Sequence, residues 1–178
     1  TFLKTAKKLQ LRYPSLLVYI PSCRSIFDEK FRQGLEKYEI KGKVISQQDN
    51  SKFMPYIYSL TKLALCKSGT VNMELALYGI PQIIGYRVSR VTAFIAKRIL
   101  NFKVRFISPV NLLVKKFIIP EFVQKNFNEK KIFFKACRLL DLTSEKVKIK
   151  NGYTLLRKEL GEEGVVDRAA KEIINSII

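Results

Sequence analysis

The 178-residue chain contains no histidine. That removes His-based catalytic triads, an imidazole general base and His-ligated metal sites. Cysteine is scarce: Cys23, Cys66 and Cys137 are odd in number, widely spaced and free of any Cys-x-x-Cys pair. A disulfide framework or zinc site is therefore not expected, and a reducing, cytoplasmic compartment is. No metal centre and no cofactor are expected. Cys66 ends the apolar run Leu63-Ala64-Leu65-Cys66 and reads as a small buried hydrophobe rather than a reactive thiol. No apolar stretch approaches the ~18–20 residues of a membrane span. The opening Thr1-Phe2-Leu3-Lys4 leads straight into an amphipathic pattern, so no signal peptide is expected. Acidic residues are also few, 15 against 33 Lys and Arg, for a net charge of +18. That balance favours an anionic partner: nucleotide phosphates, a nucleic acid or an anionic membrane face.

The chain does have a globular composition, 47% apolar, at a length that suits one domain or a piece of a larger one. Its pattern alternates. Residues 2–12 carry Phe2, Leu3, Ala6 and Leu9 on one helical stripe that Pro14 ends. The run 16–20 reads as a buried strand and 26–38 as a helix. Residues 44–45 give a short strand. A helix is expected over 52–60, capped by Asp49 or Ser51, with Pro55 tolerable only in its first turn. Strand 63–66, helix 71–78 stopped by Gly79, strand 81–86, helix 91–101 and a last strand 104–107 follow. From about 118 the pattern is helical to the end, with turns near Thr143 and Gly161/Gly164. Short apolar strands separated by helices predict an α/β fold, a doubly wound parallel sheet followed by a C-terminal helical segment.

Ligands of such sheets bind at the carboxyl ends of the strands. Three loops qualify. In Lys67-Ser68-Gly69-Thr70, a glycine lets backbone approach a ligand, and the N–H groups opening the next helix favour phosphate. Glu74, a turn further on, could accept from ribose hydroxyls. Simple capping by Ser68 or Thr70 explains the same residues. Arg87 leaves the next strand, where it could pair with a phosphate or stand solvated. Asn111 presents donors and acceptors at a further strand end, and Gln124 could do so from a nearby helix. Each alone also fits an ordinary turn or surface residue.

Taken together, three stretches resemble the carboxyl-terminal half of the lipid-A-disaccharide synthase family, glycosyltransferases of the two-domain GT-B fold. They are Phe2-Leu3-Lys4-Thr5-Ala6 with Tyr13-Pro14; Ser68-Gly69-Thr70 with Glu74; and Gly85-Tyr86-Arg87 through Ala96-Lys97-Arg98 and Asn111-Leu112-Leu113 to Glu121-Phe122-Val123-Gln124. The similarity spans about residues 1–125. Departures are the proline displaced to Pro109 and Lys115-Lys116-Phe117 where the family often has Gly-Arg-Glu. The resemblance implies a Rossmann-like half of a GT-B enzyme that moves an acylated glucosamine from a UDP-linked donor to an acylated glucosamine 1-phosphate. It implies that Ser68, Gly69, Thr70, Glu74, Arg87, Asn111 and Gln124 form the donor site. It further implies a donor domain over 1–125 lacking its first strand and loop, and C-terminal helices over 126–178 packing on it. The acceptor domain, with the lipid acceptor site and the catalytic base, would be absent, leaving the fragment alone inactive.

Residues 90–106 combine Val91, Phe94, Ile95 and Ile99 with Arg90, Lys97, Arg98, Lys103 and Arg105. They read either as a sheet-covering helix with a basic face or as a helix lying on anionic lipid, which would place the enzyme peripherally on the inner membrane face. Another UDP-sugar GT-B enzyme and a basic nucleic-acid-binding module remain alternatives. The second is disfavoured because Lys and Arg are spread along the chain and no RNP-type aromatic signature occurs.

Overall fold

A computed structural model describes residues 1–88, 105–162 and 164–177. Helix α1 (Phe2–Arg12) leads to strand β1 (Val18–Pro21), α2 (Asp28–Lys37) and β2 (Gly42–Ile45). Then come α3 (Gln47–Leu60), β3 (Ala64–Cys66), α4 (Val71–Leu77) and β4 (Gln82–Tyr86). A short α5 (Pro109–Val114) precedes β5 (Glu121–Val123), and α6 (Glu129–Asp141), α7 (Thr143–Leu160) and α8 (Val165–Ile177) complete the order.

The class is α/β, and among the described residues every strand pair is parallel. Among the described residues the strands form two sheets, β1-β2 and β3-β4-β5. Side-chain alternation fixes what covers each face. Val18 and Ile20 pack with Ala6 of α1, Leu35 of α2 and Val44. Tyr19 points the other way and, with Ile45, Phe53, Tyr56 and Ile57, lines a cleft of about 200 Å³ under α3. In the second sheet, Gly85 abuts Phe2 of α1, whereas Gln82 bonds to Asn72 of α4 and Tyr153 of α7. Helices α1 and α2 thus cover one face, α3 and α4 the other. The central core gathers Leu9, Ile83, Ile84, Val110, Ile119, Ile132, Leu139 and Leu156, so α6 and α7 share it with the second sheet. In α8 the side chains of residues 165–176 are exposed, including Val166 at 76%.

Several sequence expectations are corrected. α3 starts at Gln47, not 52, because Ser46 caps it by accepting from the Asp49 N–H. Pro55 lies well inside that helix, where it cannot donate to the carbonyl four residues back. Arg105–Ile107 are not a strand; the third strand of the second sheet is Glu121–Val123, inside a stretch expected to be helical. Three residues leave too short a run for alternation to show. The helix expected over 91–101, and most of the basic segment 90–106, fall outside the described residues.

The tail is fastened to the core by a buried carboxylate. Glu145 opens α7 at 7% exposure and receives Lys135 Nζ at 2.7 Å and Arg138 Nη2 at 2.6 Å. The lysine hydrogen bond chiefly, with help from the arginine, holds its carboxyl below the ordinary 4.5. A depressed carboxyl stabilises the fold above its unfolded pKa, and that contribution disappears as pH falls through the lower folded value. Stability of the wild type is therefore expected to drop below about pH 4.5, and Glu145→Gln to flatten that drop while lowering stability at pH 7. Urea midpoints from pH 3 to 7 check this; identical pH profiles for the two proteins would contradict it.

Candidate functional site

Register brings two of the three sequence-derived loops, together with Gln124, to one edge. Cys66 pairs with Ile84, and Tyr86 pairs with Val123, all strands running the same way. The residues that follow β3, β4 and β5 are Lys67-Ser68, Arg87 and Gln124, so they leave the second sheet at its carboxyl end. Gln124 stands there because β5 ends at Val123; its φ is 52° and it opens a single 3₁₀ turn. It belongs to a strand end, not to the helix expected from sequence.

The Ser68-Gly69-Thr70 turn is built by its neighbours. Asn72 is fully buried. Its Oδ1 accepts the Gly69 N–H at 2.9 Å, and its Nδ2 donates to Lys67 O at 3.1 Å and Cys66 Sγ at 3.3 Å. With Thr70 at the N-cap, this reach-back lies one residue upstream of a capping box, and Asn72 rather than Glu74 makes it. Thr70 stands at the N-cap without a side-chain cap bond, and Ser68 Oγ donates to Ile107 O instead of capping. Among the described residues, a Cβ placed on Gly69 would meet nothing within 4 Å. Burial pushes the Cys66 thiol up to about 12, against the lowering effect of its Asn72 bond; it is not a nucleophile at neutral pH.

Glu74 is exposed and neighbours Tyr58 of α3. Burial raises the Tyr58 phenol pKa, and the neighbouring Glu74 carboxylate raises it further. Arg87 is exposed and anchored: its Nη2 donates to Phe127 O at 2.7 Å and its guanidinium lies 5.4 Å from the Phe127 ring centre.

Asn111 sits in α5, not in a strand-end loop, and is completely buried. Its Nδ2 donates to Ile119 O and Glu121 Oε1, both at 2.8 Å. Its Oδ1 accepts from Ile118 N at 2.8 Å and Ile119 N at 3.0 Å. Both donors and both acceptor positions of the amide are used, so Asn111 holds the chain and does not face solvent. Glu121, which sequence reasoning had not assigned a role, is the hub. Its carboxylate accepts the Ile107 and Ser108 N–H groups at 2.8 and 2.9 Å besides the Asn111 amide. Ser68 closes the circuit through Ile107 O. The available signal was an acidic residue opening a short apolar segment in a chain poor in acids; Asn72 offered only its position in the first turn after the glycine.

No cluster of His, Cys, Asp or Glu suited to a metal occurs among the described residues. No helix among them is long and apolar enough to cross a membrane.

A parallel α/β layer with a glycine turn, an anchored arginine and a glutamine at the carboxyl ends of adjacent strands defines a domain of the ligand-binding α/β class. A family model described as lipid-A-disaccharide synthetase matches residues 1–177. The chain belongs to that family. It is 43% identical over 175 residues to the lipid-A-disaccharide synthase of Prochlorococcus marinus (strain MIT 9313), covering 98% of this chain and 45% of that protein. The synthase of Gloeothece citriformis (strain PCC 7424) is 34% identical over 98% of this chain and 44% of its own length. That of Synechocystis sp. (strain ATCC 27184 / PCC 6803 / Kazusa) is 32% identical over 95% and 42%. The chain therefore spans less than half the length of these relatives.

Proposed function

We propose that this chain is the donor-binding part of a glycosyltransferase of lipid A synthesis, moving an acylated glucosamine from a UDP-linked donor to an acylated glucosamine 1-phosphate. The observation that carries the reading is the parallel register of β3, β4 and β5, which delivers the Ser68-Gly69-Thr70 turn, Arg87 and Gln124 to one edge. The pyrophosphate rests against the Ser68-Gly69-Thr70 turn, with Arg87 countering its charge. Glu74 serves the ribose or sugar, and Gln124 the nucleotide. Asn111 and Glu121 position the Ile107–Ser108 segment on which Ser68 docks, so their part is indirect. Departure of UDP concentrates negative charge on the β-phosphate; preorganised N–H groups and a guanidinium stabilise that charge. The acceptor site and the base that takes the acceptor hydroxyl proton lie in the remainder of the enzyme, which works in the cytoplasm at the inner membrane face. Residues 1–125 form the donor unit and 126–178 its helical buttress.

Calorimetric titration of the chain with UDP tests the reading. Binding is expected, weakening as salt rises, and Arg87→Ala is expected to lower affinity by about tenfold or more, the usual loss for a charge-assisted contact. Absence of heat at millimolar UDP, or undiminished affinity in Arg87→Ala, would refute it.

A further inference from the structure

We propose that the cleft under α3 is a seat for one hydrocarbon tail of an acylated ligand. One wall is a single stripe of α3, on which Asp49, Phe53, Tyr56, Ile57 and Leu60 recur at helical spacing. The floor is the face of β1 and β2 that carries Tyr19, Lys43 and Ile45. Tyr19 and Lys43 are register partners and stand at one level. Ile45 follows two residues on, and so on the same face. Asp49 and Leu60 are eleven helical rises apart, about 16 Å.

The volume, about 200 Å³, is below the ~300–1,000 Å³ of pockets that enclose a whole small molecule. Spread along the helix, it leaves a long, narrow bore that suits an extended chain rather than a sugar or a base. The buried lining is aliphatic: Val44, Ile45 and Ile57. A sugar or nucleotide needs several polar groups converging on it. Here the one carboxylate is already engaged, Asp49 Oδ2 accepting the Ser46 hydroxyl at 2.8 Å. Large apolar side chains nevertheless meet solvent along the bore, Tyr56 at 65%, Leu60 at 51%, Phe53 at 41% and Tyr19 at 39% exposure. Contiguous exposed apolar surface of this kind marks a binding groove.

One end of the cleft lies at the edge already described. Ile45 ends β2 and Ser46 caps α3, so Asp49 stands at the carboxyl ends of the strands. From there α3 leads to the amino end of β3, which gives both sheets the same sense. Ile57 faces the bore while its neighbour Tyr58 packs with Leu75 and Ile80 beside the second sheet. One helix thus ties the bore to the sheet that carries the Ser68-Gly69-Thr70 turn and Arg87. A tail entering at Asp49 keeps its head group at the edge where that turn lies. Each methylene moved from water into the bore adds to binding, so the site senses chain length. Assigning the tail to the acylated sugar rests on the nucleotide reading; the seat itself is argued from the cleft alone.

Titration with dodecanoate, below the concentration at which it forms micelles, tests the seat by calorimetry and by NMR shifts of the Ile45, Ile57 and Leu60 methyls. Binding with shifts at those methyls is expected. Hexanoate, with the same carboxylate and a shorter tail, should bind at least ~10-fold more weakly. Leu60→Glu and Tyr56→Glu set a charge in the bore at exposed positions, where folding tolerates it. Each should lower dodecanoate affinity by about tenfold and leave Tm and UDP affinity unchanged. No shift at those methyls, equal affinity for the two acids, or full dodecanoate affinity in both variants overturns the proposal. A chain that binds dodecanoate here but not UDP keeps the seat and loses the nucleotide reading; one that binds UDP but not dodecanoate does the reverse. UDP-glucosamine bearing a dodecanoyl chain separates the sources of the tail. Affinity at least ~10-fold above that of UDP, abolished by Leu60→Glu, assigns the seat to the sugar's own tail; affinity equal to that of UDP assigns it to a free fatty acid.

Discussion

Asn111→Ala is expected to destabilise the fold by about 3–5 kcal/mol, a large share of the 5–15 kcal/mol available to a typical domain. The substitution strips four hydrogen bonds in a fully buried setting. Ile119 loses a partner for both its N–H and its C=O, and each buried group left unmatched costs about 1–3 kcal/mol. Glu121 keeps the Ile107 and Ser108 amides, so the loop loosens rather than detaches. Asn111→Asp offers no rescue: it retains the acceptor but sets a carboxylate against Glu121 and the Ile119 carbonyl. Leu112→Ala, at 49% exposure, is the matched control and should cost less than about 1 kcal/mol. Urea unfolding reads the effect as a shift in midpoint at constant slope. An Asn111→Ala midpoint equal to the wild type would show that the amide network contributes nothing.

Gly85→Ala is expected to cost about 1–3 kcal/mol through overpacking and also to weaken nucleotide binding. The new methyl would overlap the Phe127 ring and come within 2.6 Å of Phe2. These two rings already meet edge to face at 5.1 Å and cannot both retreat. Phe127 also holds Arg87, by its carbonyl and by its ring, so a displaced Phe127 moves the guanidinium away from the sheet edge. Adding Phe127→Ala makes room and should restore part of the stability relative to the sum of the single changes, a coupling of about 0.5–3 kcal/mol. It should not restore UDP affinity, because the ring beneath Arg87 is gone. Full recovery of affinity in the double variant would mean that Phe127 does not position the arginine.

What could be read from sequence followed the strength of the local signal. β4 was legible because Ile83-Ile84 sits between Pro81 and a tyrosine-arginine exit, and α1 because its stripe and Pro14 agree. β5 was not: three residues between a proline and a 3₁₀ turn carry no period, so the helical pattern around them prevailed. Pro55 misled in the opposite sense, since packing of α3's own Tyr58 against Leu75 and Ile80 outweighs a missing hydrogen bond. At the site, Gly69 and Arg87 announced themselves by residue type and position at strand ends. Asn111 did not, because an amide that serves a ligand and an amide that stitches a buried loop look alike until their partners are seen. Glu121 and Asn72 escaped for the same reason. Their importance lies in backbone groups of distant residues, which a sequence does not display.

The Tyr153 hydroxyl receives the Gln82 amide at 3.1 Å and donates to Ile80 O at 2.8 Å, while Gln82 also reaches Asn72 O at 2.9 Å. Asn72 in turn clasps Gly69. A phenol near the end of the polypeptide is thereby mechanically in series with the glycine turn some eighty positions earlier. Trimming the chain after β5, however neatly it fell in a loop, would unseat that turn along with the helix, and transplanting the first 125 residues into another protein would carry over the turn without the strut that sets its shape.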